Sequence, residues 1–149
     1  IKINVVSAKK YKNNRKEDLL LQKYLLKAGY KSKVVAWEDN EPADIHIIRS
    51  VWGYHHNIDS FIKFLDNKKT INDREIIKDN INKKKQYELL KNNNIPVINT
   101  KFLNNINELN YTNEKLVIKP IISAAGENTY KINQKEEIDS ESADLNNTI

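Results

Sequence analysis

The sequence predicts an α/β protein built around an open sheet. Three strand-like segments lie within the first fifty residues, and a helix-like segment separates the first two. The segment 45–48 is almost continuously apolar, which is typical of a strand covered on both faces. Ligands of open α/β sheets bind beyond the carboxyl ends of the strands, so we expect a binding edge after these segments.

The elements of the first part follow from apolar spacing and capping residues. Residues 1–8 predict the first strand, and residues 34–37 and 44–48 predict the second and third. A helix lies between the first two strands, and Gly29 occupies the position of its C-terminal cap. The broad apolar face of this helix consists of Leu19, Leu20, Leu21, Leu25 and Leu26.

A second helix follows the third strand and is capped by Asn57 or Asp59. Residues 70–72 predict a short fourth strand. Asp73 is then expected to cap a brief helix that contains two isoleucines.

The pattern changes at Asn82, which begins a helix that runs to residue 90. A proline favours an extended segment at 95–100, which we interpret as a strand or the entry to a strand. Residues 114–118 and 128–132 predict the two strands of a hairpin. The sequence therefore indicates a second, smaller folded part after the first sheet.

Composition limits the classes of function. The chain of 149 residues carries 25 Lys+Arg and 20 Asp+Glu, for a formal charge of +5. Charges of both signs are interleaved, and Lys83–Lys85 is the only tight basic run. This distribution favours solvated charged faces over a nucleic-acid or anionic-membrane partner, whose binding footprint would be a one-sided basic stripe. The absence of cysteine excludes disulfides, thiolate metal sites and cysteine nucleophiles.

The sequence contains no apolar run long enough to span a bilayer, and it begins directly with a strand pattern. We therefore expect a cytoplasmic protein. The chain has no methionine and begins with Ile1, which indicates a processed start or an incomplete chain. The adjacent His55 and His56 do not predict a metal site, because no third ligand is placed by spacing.

Two lysines and a loop of small residues predict a phosphate site. Lys85 opens the predicted helix, and Lys119 ends an apolar strand. The loop that follows contains Ser123, Ala124, Ala125 and Gly126. Phosphate binding needs positive charge and small residues where backbone N–H groups approach the ligand. An ordinary hairpin turn remains the alternative interpretation of this loop.

Four ordered motifs carry a family resemblance. They are DIHIIRSVWGY at 44–54, N-x-x-K-x-Y-x-x-L at 82–90, IPVINT at 95–100, and VIKPxxSAxGxxTY at 117–130. Their order resembles the N-terminal half of ATP-grasp ligases, in the glutathione synthetase-like and D-cycloserine-biosynthesis-like branch. The resemblance covers residues 1 to about 132.

This resemblance implies a domain organisation. Residues 1–80 would form a Rossmann-like pre-ATP-grasp domain, and residues 81–132 would form the small α+β nucleotide-binding subdomain of an ATP-grasp fold. The large subdomain would be missing. Residues 133–149 would be a polar, acidic tail or the start of that missing part. By the same resemblance the chain is half of a ligase and should not turn over unaided.

The resemblance also implies the ligand contacts. Lys85 would lie on the α-phosphate side of ATP, and Lys119 near the adenine and the α- and β-phosphates. Ser123, Ala124, Ala125 and Gly126 would close over the terminal phosphates. The Mg²⁺ ligands are expected in the missing large subdomain.

The implied activity is that of an ADP-forming carboxylate–amine ligase with an acyl-phosphate intermediate. Its partners would be a small carboxylate and a small amine. Arg49, Ser50 and Tyr54 are the candidates for the substrate side, because they follow a strand end. Two alternatives remain open: a non-catalytic basic interaction or nucleic-acid-binding module, and a portion of a longer enzyme.

Overall fold

The computed structural model describes residues 1–66, 68–111, 114–133 and 137–138. The chain divides into two compact units, Ile1–Lys78 and Asp79–Ile149. The division falls close to residue 80, where the sequence pattern changes. The functional identities of the two parts stay predictions, and each unit is described by itself.

A parallel four-stranded sheet forms the centre of the first unit. Its order is β2-β1-β3-β4. The strands are β1 (Lys2–Ser7), β2 (Lys31–Ala36), β3 (Ile45–Ile48) and β4 (Thr70–Ile71). Val5 at the centre of β1 pairs with Val34 on one side and Ile47 on the other. The α/β prediction is therefore confirmed for this part of the chain.

Helix α1 (Lys16–Lys27) connects β1 to β2 and ends as the sequence predicts. Gly29 lies in the left-handed region with a φ of +86°. The amide of Gly29 donates to the carbonyl of Leu26 (3.0 Å), and the amide of Tyr30 donates to that of Leu25 (3.1 Å). This pair of bonds is the Schellman motif, which satisfies the last carbonyls of the helix.

The predicted broad apolar face of α1 is wrong. Leu19, Leu20 and Leu26 are 41%, 53% and 50% exposed, and Asp18 is the buried residue of this helix. Three consecutive leucines span too wide an arc to share one helix face. The more buried positions are instead Asp18, Leu21, Gln22 and Leu25, which follow the helical spacing of three and four residues.

Helix α2 (Ile58–Asp66) connects β3 to β4 and supplies much of the apolar core. Phe61 and Leu65 are fully buried, and the ring of Trp37 meets Phe61 edge-on with the centroids 5.3 Å apart. His46 of β3 is also buried, and its Nε2 lies 3.1 Å from the carbonyl oxygen of Glu41. A short 3₁₀ helix, Tyr54–Asn57, precedes α2.

Helices α3 (Arg74–Ile81) and α4 (Lys83–Asn92) both begin at the predicted caps. The Asp73 carboxylate accepts from the amide of Glu75 at 2.8 Å. The Asn82 side chain accepts from the amides of Lys84 at 2.9 Å and Lys85 at 3.2 Å.

A two-stranded antiparallel hairpin forms the sheet described in the second unit. Its strands are β5 (Leu116–Ile118) and β6 (Tyr130–Ile132), as the sequence predicts. The predicted strand at 95–100 is wrong, because all of residues 95–103 are described and none of them is in a strand. A proline can favour an extended backbone, but a strand also requires a hydrogen-bonding neighbour.

Within the described ranges, no helix combines the length and the apolar composition needed to cross a membrane. Most of the predicted acidic tail, residues 134–136 and 139–149, lies outside the described residues.

Candidate functional site

The carboxyl edge of the first sheet brings the ends of β1 and β3 together. The amide of Arg49 donates to the carbonyl of Val6 at 3.0 Å. The carbonyl of Ser50 accepts from the amide of Ala8 at 2.9 Å and from the hydroxyl of Ser7 at 3.2 Å. The Ser50 carbonyl thus joins the two strand ends. Ser50 is also buried, so its side chain is withdrawn from solvent.

Arg49 extends from this edge and is held by a buried carboxylate. Its Nε lies 3.5 Å from Oδ1 of Asp18. The Asp18 side chain is 1% exposed, whereas the Arg49 side chain is 46% exposed. The solvent-facing part of the guanidinium is therefore suited to a carboxylate or phosphate oxygen.

Sequence reasoning missed Asp18. It stands beside three leucines in the first turn of α1, where an acidic residue ordinarily serves the helix dipole. The usable signal was its spacing of three, four and seven residues from Leu21, Gln22 and Leu25, because that spacing places it on the same face.

Aromatic side chains flank the strand end that carries Arg49. The guanidinium of Arg15 lies over the Trp52 ring at 4.5 Å, and Tyr11 meets that ring edge-on at 5.3 Å. The Tyr54 ring stacks on Phe61 at 5.2 Å, and burial raises the pKa of its hydroxyl. Tyr54 thus contributes to the core as well as to the region after β3.

The loop between β5 and β6 contains the residues predicted to bind phosphate. Lys119 is exposed at the end of β5, and Ser123 is half-buried. Ala125 and Gly126 both adopt left-handed conformations, with φ values of +54° and +77°. The amide of Glu127 closes a turn by donating to the carbonyl of Ala124 at 3.0 Å. Asn128, with a φ of +51°, is a third left-handed residue of this loop.

Lys83, which the sequence analysis treated only as part of a basic run, contacts this loop directly. Its Nζ donates to the hydroxyl of Ser123 at 2.8 Å and to the carbonyl of the same residue at 3.1 Å. Its backbone amide donates to the carbonyl of Ile121 at 3.0 Å. Burial, with the nearby charge of Lys119, lowers the pKa of Lys83. The start of α4 and the start of the loop are therefore joined.

Lys85 lies elsewhere on α4. Its Nζ forms an exposed ion pair with Oδ1 of Asp79 at 3.0 Å. The structure brings Lys83 and Ser123 into contact, with the charge of Lys119 acting on Lys83, and it places Lys85 with Asp79. The role of Lys85 beside the α-phosphate stays a prediction.

Comparisons with known proteins agree with the motifs. Residues 3–73 match the family model described as the N-terminal domain of D-cycloserine synthetase DcsG. The fold is similar to the crystal structure of D-cycloserine synthetase DcsG, with a TM-score of 0.80 and 14% identity over 99% of this chain and 55% of that one. The predicted resemblance to the ATP-grasp superfamily is confirmed.

A solved structure described as ATP-grasp supports the same fold. The RimK domain ATP-grasp protein from Sphaerobacter thermophilus DSM 20745 matches with a TM-score of 0.68 and 12% identity. That match covers 97% of this chain and 59% of the other chain. This chain thus spans a little more than half the length of either ATP-grasp protein. No curated protein sequence matches it.

Proposed function

We propose that the chain is the ATP-binding part of an ADP-forming carboxylate–amine ligase that works through an acyl phosphate. The observation that carries the proposal is the loop after β5, where Lys119 and the lysine-bound Ser123 lie in a chain whose fold is similar to solved ATP-grasp-related structures. In this proposal residues 1–80 are the pre-ATP-grasp domain, and residues 81–132 are the small subdomain that grips the nucleotide.

The residues of the loop fit the phosphates of ATP. Lys83 and Lys119 supply positive charge, and the Ser123–Gly126 segment supplies small side chains and backbone donors. Lys85 is the proposed contact on the α-phosphate side. Mg²⁺ requires several oxygen ligands, and we assign these to the large subdomain, which lies outside the segment described by the resemblance.

The proposed chemistry is electrostatic. A substrate carboxylate attacks the γ-phosphorus of ATP, ADP leaves, and an amine then displaces the phosphate from the acyl phosphate. The lysines would neutralise charge on the phosphate oxygens during the first step, as positioned cations do in other phosphoryl transfers. Arg49 is the proposed contact for the small carboxylate, and Ser50 and Tyr54 stay the other candidates for the substrate side.

The alternative of nucleic-acid binding is disfavoured by the contacts of the basic run. Lys83 is directed onto Ser123, Lys84 lies 5.8 Å from the centroid of the Phe102 ring, and Lys85 pairs with Asp79. The three lysines therefore make three different contacts. A polynucleotide backbone would instead require them to form one basic stripe.

The test is an ATP titration by calorimetry, with Mg²⁺, of the wild type, Lys119→Ala and Lys131→Ala. Lys131 is an exposed lysine on the other hairpin strand, so its variant matches the charge change. We expect Lys119→Ala to weaken ATP binding by about 10- to 100-fold, because a hydrogen bond to a charged group contributes roughly 1.5–3 kcal/mol. Lys131→Ala should bind like the wild type, and all three should unfold at similar temperatures.

Equal ATP affinities for Lys119→Ala and the wild type would contradict the assignment of Lys119. The same titration with a polynucleotide separates the alternative function. Affinity for any polynucleotide that falls steeply with added salt, without a preference for ATP, would support the basic binding module instead.

A further inference from the structure

We propose that Lys83 is a positioning residue of the nucleotide site, which holds Ser123 so that the serine hydroxyl donates a hydrogen bond to a phosphate oxygen. This inference rests on the proposed function and adds a residue to it. Neither the motif N-x-x-K-x-Y-x-x-L nor the sequence reasoning assigns Lys83 a role, because the motif lysine is Lys85.

The hydrogen bond between the Lys83 amine and the Ser123 hydroxyl can run in only one direction. A protonated lysine amine has three N–H donors and no acceptor. Its 2.8 Å contact with the Ser123 hydroxyl is therefore one in which Lys83 donates and the serine oxygen accepts. The hydroxyl hydrogen cannot be directed back to Lys83, so it remains available to an acceptor on another side.

The positive charges near Ser123 indicate that the acceptor of its hydroxyl hydrogen is an anion. Lys83 is half-buried, and Lys119 is close enough for its charge to act on it. Within the described part of the chain, no carboxylate forms an ion pair with either lysine. Two neighbouring positive charges without a carboxylate favour an anion, and phosphate oxygens accept from both ammonium and hydroxyl groups.

Two hydrogen bonds from Lys83 to backbone carbonyls fix the segment that carries Ser123. The amide of Lys83 binds the carbonyl of Ile121, and its Nζ binds the carbonyl of Ser123. Residues 121–123 are thus fixed to the first residue of α4 from two sides. The left-handed residues Ala125 and Gly126 follow after one residue, so the fixed segment ends just before the tip of the loop.

A double-mutant cycle tests the proposal on the full chain. The variants are Lys83→Met, Ser123→Ala and the double variant, with Lys84→Met as the matched control from the next position. Each is titrated with ATP and with inorganic tripolyphosphate at constant ionic strength, and its unfolding temperature is measured. A Ser123→Thr variant keeps the hydroxyl.

We expect Lys83→Met and Ser123→Ala each to weaken binding of both ligands by about tenfold, since each removes a charge-assisted bond. The double variant should bind each ligand no more weakly than the weaker-binding single variant, because both substitutions disrupt the same Lys83–Ser123 arrangement. Ser123→Thr and Lys84→Met should stay within about twofold of the wild type. A general structural defect would lower the unfolding temperature and would not be rescued by threonine.

Additive losses in the double variant, or an unchanged affinity of Lys83→Met, would overturn the positioning role while leaving ATP binding intact. Binding of tripolyphosphate but not ATP, with the cycle preserved, would overturn the proposed function and keep the Lys83–Ser123 anion site. Absence of binding of either ligand by the wild type would overturn both.

Discussion

At the scale of single residues, the most consequential feature of the first unit is the buried charge of Asp18. Its side chain is 1% exposed, and neither carboxylate oxygen has a hydrogen-bond partner among the described residues. The guanidinium of Arg49 at 3.5 Å is its compensating charge. A buried carboxylate with so few partners depends strongly on that one cation.

This dependence predicts the stability of two variants. Arg49→Met should lower the free energy of unfolding by up to about 3 kcal/mol, because it leaves a buried charge without its cation. That value is the lower end of the range for buried pairs, since Arg49 is 46% exposed. Asp18→Asn combined with Arg49→Met should recover most of the loss. Urea unfolding of both variants and the wild type measures these differences.

An Arg49→Met variant as stable as the wild type would show that Asp18 does not depend on Arg49. Equal losses in Arg49→Met and the double variant would show that the arginine acts through packing and not through charge. Lys33→Met is the control, because its ion pair with Glu41 is more exposed than the Asp18–Arg49 pair.

Local sequence features identify some residues of the candidate site and not others. Lys119 and Ser123 could be proposed as phosphate contacts because a strand end and a run of small residues are local features, and that role stays a prediction. Lys83 could not be distinguished from Lys84 and Lys85 in this way. Its contact with Ser123 joins positions forty residues apart and depends on where the hairpin loop lies beside α4.

At the scale of elements, the loop between β5 and β6 begins with a segment that Lys83 holds and continues into a tip whose backbone is strained. Ala125 has a φ of +54°, a region in which a β-carbon is disfavoured by about 1–2 kcal/mol. A glycine-rich loop would adopt this conformation without that cost. The loop of this chain has one glycine, and two other residues adopt positive φ, Ala125 and Asn128 (+51°). Asparagine visits the left-handed region more readily than alanine, so the greater strain lies at Ala125.

We therefore predict that Ala125→Gly stabilises the second unit by up to about 1 kcal/mol, because relief of strain exceeds the added freedom of the unfolded chain. Ala124→Gly is the control. Ala124 is not among the residues with positive φ, so its replacement should destabilise by about 0.4–1 kcal/mol. Denaturant unfolding compares the two, and a loss of stability in Ala125→Gly equal to that in Ala124→Gly would contradict the strain.

Element boundaries were predictable wherever a local signal decides them. Gly29 ends α1, Asp73 caps α3 and Asn82 caps α4 at the expected positions. The segment 95–100 failed because a strand depends on a neighbour elsewhere in the chain. The apolar face of α1 failed because the position of the sheet, and not the number of leucines, decides which residues are buried.

At the scale of the whole molecule, each compact unit carries one candidate site. The first has Arg49 at the carboxyl edge of a parallel sheet, and the second has Lys83, Lys119 and Ser123 around the hairpin loop. The motif order predicted the ATP-grasp resemblance, which is confirmed, and the roles of the two parts stay predictions. The net charge of +5 was the weaker guide, because many lysines are engaged in contacts such as the 2.9 Å pair of Lys12 with Asp39.

The central claim is that the second unit binds the phosphates of ATP at the loop after β5. The most direct measurement is an ATP titration of the ¹⁵N-labelled chain, followed by amide chemical shifts. We predict saturable shifts that cluster at residues 83–85 and 119–126 and lose their amplitude in Lys119→Ala. Shifts that are absent, or that spread over exposed lysines throughout the chain and vanish with modest added salt, would contradict the claim.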